Sequence, residues 1–151
     1  MKIYPYLNFD GKAEAAFNFY RSVFGGEFVG GIQYITDAPG MEEIPEDEKN
    51  RVMHVCLQIT PDLKIMASDT LPSMGHVYKA GNNNYISLDM DSLDEAKRIY
   101  SSLSEGGTIE MELQKTFWGA YFASFMDQFG IGWMINYDLK PGEELSLKAE
   151  V

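Results

Sequence analysis

An α+β domain made of two βαβββ modules is the fold this sequence predicts, on three observations. Strand-like alternation and helix-like recurrence of apolar residues follow one another in the same order in both halves of the chain. Each helix-like segment is stopped by a glycine pair, Gly25-Gly26 in the first half and Gly106-Gly107 in the second. The run Thr116–Asn136 sets Phe117, Trp118, Tyr121, Phe122, Phe125, Phe129 and Trp133 around Asp127, Gly130 and Gly132, which reads as two strands joined by a turn. A module with one helix buries that helix on one face of its sheet, so the repeat predicts two sheets closing around a shared cleft.

In the first half, Ile3–Asp10 alternates as a strand, with Ile3, Leu7 and Phe9 on one face and Tyr4, Tyr6 and Asn8 on the other. Over Lys12–Phe24, residues Ala13, Ala16, Phe17, Tyr20 and Phe24 recur at helical spacing, and Asp10 stands where it can cap the start. Glu27–Asp37 alternates weakly as a strand. Glu42, Glu43, Glu46, Asp47 and Glu48 fall among Pro and Gly residues, so a solvated loop is predicted there. Arg51–Ile59 reads as a strand with His54, Cys56 and Gln58 opposite Val55, Leu57 and Ile59. Pro61-Asp62 makes a turn and Leu63–Ser68 completes the hairpin. Asp69–Asn83, with Pro72, Gly75, Gly81 and its asparagine run, reads as a long connection.

In the second half, Tyr85–Met90 is a predicted strand with Ile86, Leu88 and Met90 on one face. Ser92 and Glu95 form a capping box for a helix with apolar Leu93, Ala96, Tyr100 and Leu103. Thr108–Lys115 alternates Ile109, Met111 and Leu113 against Glu110, Glu112 and Gln114, and the acidic pair is expected to face solvent. Superimposing the halves matches Ala16 and Tyr20 to Ala96 and Tyr100, and Leu63–Ala67 to Ile131–Ile135. The predicted organisation is one domain over residues 1–140, made of modules 1–69 and 84–139, followed by a charged tail over 140–151.

Twelve basic against 23 acidic residues give a formal charge of −11, which repels polyanions and argues against a nucleic-acid partner. No apolar run approaches the roughly 20 residues that span a bilayer, so no membrane partner is expected. The opening MKIYPYLNF lacks a signal-peptide pattern, and a cytoplasmic location is the expectation. The single cysteine, Cys56, sits in an alternating apolar segment and reads as a small buried hydrophobe.

Three stretches carry a family resemblance: YLNFDGKAEAAFNFYRSVFGGE at 6–27, HVCLQITPDLKIMASD at 54–69, and TFWGAYFASFMDQFGIGWMIN at 116–136. Together they resemble the PhnB-like branch of the vicinal oxygen chelate superfamily, which includes glyoxalase I, bleomycin-resistance proteins and extradiol dioxygenases. The resemblance implies the cup-shaped glyoxalase/bleomycin resistance/dihydroxybiphenyl dioxygenase fold and a homodimer. In metal-using members, His, Gln or Glu ligands stand on the first and last strands of each module. Those positions carry over to Tyr6 (or Tyr4 or Asn8), Ala67, Tyr85 and Ile135, with Ser68, Asn84 and Asn136 one residue away. Two of the four have no donor atom, and phenols with a pKa of about 10 are poor ligands for a divalent ion. No metal and no cofactor are therefore expected.

What remains is an aromatic, mostly neutral cup whose ligand-binding residues are expected to be Tyr6, His54, Tyr85, Trp118, Tyr121 and Trp133, with Cys56 also facing inward. A small organic ligand held by stacking and a few hydrogen bonds is the expected partner. The alternative is a metal-dependent lyase or dioxygenase of the same superfamily. Should the protein catalyse a reaction without a metal, His54 would be the base and Asp69 its orienting partner. His76, in the long connection, reads as a surface residue, and Asp127 as a turn residue binding backbone amides.

Overall fold

Alternation in the first half yields β1 (Tyr6–Phe9), β2 (Glu27–Phe28), β3 (Gln33–Tyr34), β4 (Val52–Thr60) and β5 (Leu63–Asp69), with helix α1 (Ala13–Phe24) after β1. The computed structural model describes residues 1–143, and these elements make up the first of two units, Met1–Ala80. The sheet runs β1-β5-β4-β2, with β3 also on β4; β1 and β5 are parallel and the other pairs antiparallel. Helix α1 buries Ala13, Ala16, Phe17, Tyr20 and Val23 against a sheet face carrying Phe9, Val55, Leu57, Ile65 and Ala67. Phe17 meets Phe9 and Tyr20 edge-on at 6.3 and 5.4 Å. Each large side chain buried in this way contributes about 1.5–3 kcal/mol.

Several expectations for this half are corrected. Ile3 is 90% exposed, because β1 begins only at Tyr6, the first residue in register with β5. Asp10 does not cap α1. It accepts from Arg51 Nη1 at 2.8 Å, while the buried Asp69, on the last position of β5, accepts the Ala13 amide at 3.0 Å. The strand expected over 27–37 is two short pieces, because Gly30 and Gly31 both take φ +72° between them and Ile35–Asp37 coils into a 3₁₀ turn. Glu48 is not solvated: it is buried and accepts both the amide, at 2.9 Å, and the hydroxyl of Ser73, tying the acidic loop to the connection after β5.

The second unit begins at Gly81 and contains β6 (Ile86–Asp89), α2 (Leu93–Leu103), β7 (Thr108–Lys115), β8 (Ala120–Met126) and β9 (Gly132–Asp138), in the sheet order β6-β9-β8-β7. The Ser92 hydroxyl accepts the Glu95 amide at 3.1 Å, but the Glu95 carboxylate accepts from Asp91 at 3.3 Å, so half of the expected capping box forms. α2 buries Ala96, Ile99 and Leu103, and Tyr100 meets Phe125 edge-on at 5.8 Å. The register of β7 on β8 slips twice, between Ile109 and Met111 and again before Gln114. Its strict alternation fails accordingly, leaving Ile109 and Met111 exposed. The aromatic run divides between surface and core: Phe117 and Trp118 are exposed in the turn before β8, whereas Phe125 and Trp133 are buried. The charged tail expected over 140–151 lies outside the described residues from 144 on.

Each unit therefore has the same strand order, with a parallel pair between its first and last strands. Leu7 pairs with Ala67 as Leu88 pairs with Ile135. After each helix a glycine runs tight against backbone. A Cβ on Gly26 would sit 2.2 Å from the Gln58 carbonyl oxygen, and one on Gly107 would sit 2.0 Å from that of Met126. Among the described residues no helix is long and apolar enough to cross a membrane.

Candidate functional site

In the first unit, alternation along the strands sends Tyr6, Asn8, His54, Cys56, Met66 and Ser68 to the face away from α1. On that face Tyr6 Oη and His54 Nδ1 share a hydrogen bond of 3.1 Å, and their rings stack at 5.8 Å with planes 27° apart. Tyr6 is 47% exposed, so a half-open phenol and an imidazole are ordered together at the surface of this sheet. Asp69 is not their partner. It lies on the helix side of β5, where its oxygens accept the Ala13 amide at 3.0 Å and the Val52 amide at 2.8 Å. The pair expected for metal-free catalysis is thus not brought together, and Asp69 is a structural carboxylate. His76 Nδ1 accepts the Leu71 amide at 3.0 Å, which holds the connection after β5.

In the second unit, the register Phe125↔Trp133 and Tyr121↔Tyr137 places Trp133 and Tyr121 on the sheet face that α2 covers. Trp133 is fully buried, and its indole N–H donates to Asp127 Oδ2 at 2.9 Å. The other oxygen of Asp127 accepts the amides of Phe129 and Ile131 at 2.8 and 3.0 Å, so the expected turn role also anchors the tryptophan. Trp118 stands in the turn before β8, edge-on to Phe122 at 6.2 Å.

Across the face away from α2 runs an arrangement that alternation alone does not disclose. Tyr85 lies over Gly132, where a Cβ would come 2.8 Å from its ring, and its hydroxyl shares its one proton between the two oxygens of Glu110, at 2.8 and 2.9 Å. Ser124 Oγ donates to Glu110 Oε1 at 3.0 Å. The hydrogen bond to Glu110, then burial, then the negative charge of Glu110 raise the Tyr85 phenol above its ordinary value of 10.0. Glu110, expected to be a solvated strand residue, is thereby fixed from two sides. The signal for it in the sequence was a glycine inside a strand pattern, which marks a close approach. At the far end of the same sheet a cavity of about 430 Å³ is lined by Asp89, Asp91, Asn136 and Asp138, with the Asn136 amide donating to Asp89 at 3.3 Å and Asp138 at 3.1 Å.

The residues at the carried-over ligand positions do not fit a divalent metal. Ala67 and Ile135 are fully buried on the helix faces, so Ser68 and Asn136, neutral oxygen donors, stand on the opposite faces in their place. Among the described residues no three His, Cys, Asp or Glu side chains come together in a way that could hold an ion.

Comparison with known proteins agrees with the fold. The chain is 30% identical over 146 residues to the protein YjdN of Escherichia coli, covering 90% of this chain and 95% of that one. It superimposes on the crystal structure of PA1353 from Pseudomonas aeruginosa with a TM-score of 0.81 at 36% identity, covering 93% and 99% of the two chains. A PhnB protein from Bacillus cereus shares the fold, with a TM-score of 0.70 at 24% identity over 91% and 99% of the chains. The family model of the Glyoxalase/Bleomycin resistance protein/Dioxygenase superfamily matches residues 3–135, and with two units of the same βαβββ order the chain belongs to that superfamily.

Proposed function

We propose that this protein binds a small organic molecule through the sheet faces turned away from its helices, and that it does so as a cytoplasmic homodimer. One observation carries the reading: in each unit that face presents an aromatic hydroxyl already ordered by a hydrogen bond to an ionisable partner, Tyr6 with His54 and Tyr85 with Glu110. Polar tips fixed on flat aromatic bodies suit a ligand held by stacking and a few directional contacts, because little ordering remains to be done on binding. The proposed contacts are Tyr6 and His54 on the face of the first unit, and Tyr85 and Trp118 in the second; Tyr121 and Trp133, on the helix side of the second sheet, are not among them. Superfamily membership and the PhnB-like neighbour support a binding protein of this kind. The exposed Phe117 and Trp118, and β7, which among the described residues pairs on one side only, support self-association, since apolar side chains beside a strand edge invite a partner.

Native mass spectrometry of freshly purified protein tests the proposal. The expected spectrum is a dimer carrying a retained organic compound, with less of it in a Tyr6→Ala, Tyr85→Ala double variant. A monomer that carries nothing, and whose melting temperature no small molecule raises, would overturn it.

A further inference from the structure

The second sheet offers more than a generic aromatic surface, and the detail lies in how Glu110 is held. A surface glutamate is ordinarily a mobile, fully hydrated charge. Here the Tyr85 hydroxyl reaches both carboxylate oxygens and the Ser124 hydroxyl reaches Oε1, so the group is fixed while it remains exposed. The device is built: Tyr85 reaches across the sheet only because position 132 has no side chain, and Gly132 has no positive φ that would otherwise require glycine. The single phenol proton of Tyr85 is shared between Oε1 and Oε2 and the Ser124 proton goes to Oε1, so two protons serve a carboxylate with about four acceptor sites and Oε2 can take a further donor. Phe122 precedes Ser124 by two residues on the same face of β8, and Trp118 lies edge-on to it at 6.2 Å.

A fixed carboxylate with acceptor capacity to spare on Oε2, set beside aromatic rings, is complementary to a donor-bearing positive charge on a flat body. The chain's formal charge of −11 favours the approach of such a ligand. We infer that the face of the second sheet away from α2 recognises a small organic cation, an amine or amidine carried on an aromatic or apolar skeleton, with Glu110 as its charge partner and Tyr85 and Ser124 as positioning residues. The inference rests on the small-molecule reading above and narrows it to a ligand class.

Benzamidine and its neutral near-isostere benzamide are the probes, titrated at physiological salt by calorimetry and followed by melting temperature. Wild-type protein is expected to bind benzamidine saturably and at least about tenfold more tightly than benzamide, as a charge-assisted hydrogen bond requires. Glu110→Gln is expected to lose about tenfold for benzamidine and nothing for benzamide, and Tyr85→Phe to lose about threefold. Glu112→Gln, on the same exposed strand, is the control for non-specific attraction and is expected to be silent. Equal affinity for the two probes would overturn the cation inference while leaving small-molecule binding intact. Absence of benzamidine binding, an unchanged Glu110→Gln, or an equal loss in Glu112→Gln would overturn it as well. If Glu110→Gln proved misfolded by circular dichroism, Ser124→Ala would serve instead, with a loss of about threefold expected and no loss overturning the inference.

Discussion

The Tyr85 ring occupies the space above Gly132, close enough that a Cβ there would stand 2.8 Å from its Cδ1. Adding a methyl group at 132 must therefore displace the ring, and with it the hydroxyl that holds Glu110. Gly132→Ala is expected to destabilise the protein by about 1–3 kcal/mol through this overpacking, measured by urea denaturation. Tyr85→Ala in the same background should recover most of that loss, because the clash then has no second party. A double variant no more stable than Gly132→Ala would show that the strain arises elsewhere.

Asp69 joins the start of α1 to the start of β4, accepting the Ala13 and Val52 amides from a buried position. Asp69→Ala leaves both donors without this partner. The expected cost is about 2–4 kcal/mol, read as a lower denaturation midpoint at unchanged slope. Benzamidine affinity of the folded fraction should not change, since this carboxylate lies on the other unit and on the helix side of its sheet.

Alkaline pH should weaken the fold in a way that the tyrosines explain. Tyr34, Tyr85 and Tyr137 each donate to a carboxylate, of Glu14, Glu110 and Glu143, and that hydrogen bond foremost raises each phenol above 10.0. The folded chain holds these protons more tightly than the unfolded one. Their contribution is thus complete below about pH 10 and disappears as pH climbs through the raised values. Melting temperature is expected to stay level from about pH 7 to 9 and to fall above 10, less steeply in Tyr85→Phe. Absorbance at about 295 nm should show one phenol returning toward its ordinary range in Glu110→Gln. Identical alkaline profiles for wild type and Tyr85→Phe would refute the link.

Asp127 receives two amides and the Trp133 indole, so its removal both opens the turn and frees a buried ring. Asp127→Ala is expected to cost about 2–4 kcal/mol and to shift tryptophan emission to the red; Asp127→Asn, which keeps one acceptor oxygen, should cost less. Equal losses in the two variants would mean that the acceptor count is not what matters.

Much of the fold was legible because helix and strand periods are local. Ala13, Ala16, Phe17 and Tyr20 announce the buried stripe of α1, and Gly25 closes it at φ +77° with its amide on Arg21. What was not legible depends on partners far along the chain. The cap on α1 comes from Asp69, 56 residues beyond Ala13, whereas the nearby Asp10 serves Arg51. Glu110 faces solvent, as the alternation of its strand predicts; what alternation does not disclose is that Tyr85 arrives from 25 residues upstream to hold it. Trp133 was expected toward a ligand. Its pairing with Phe125 turns it inward, and a composition-level reading of aromatics cannot distinguish one strand face from the other.

Both tryptophans of the chain, Trp118 and Trp133, belong to the second unit, one 56% exposed and the other sealed inside. Tryptophan emission accordingly arises from the second unit alone, as two voices, one at the surface and one within. Replacing Trp118 with phenylalanine would leave a reporter for the interior of one half alone. Any gap between its unfolding curve and that of the backbone dichroism would measure how far the two halves melt as independent bodies.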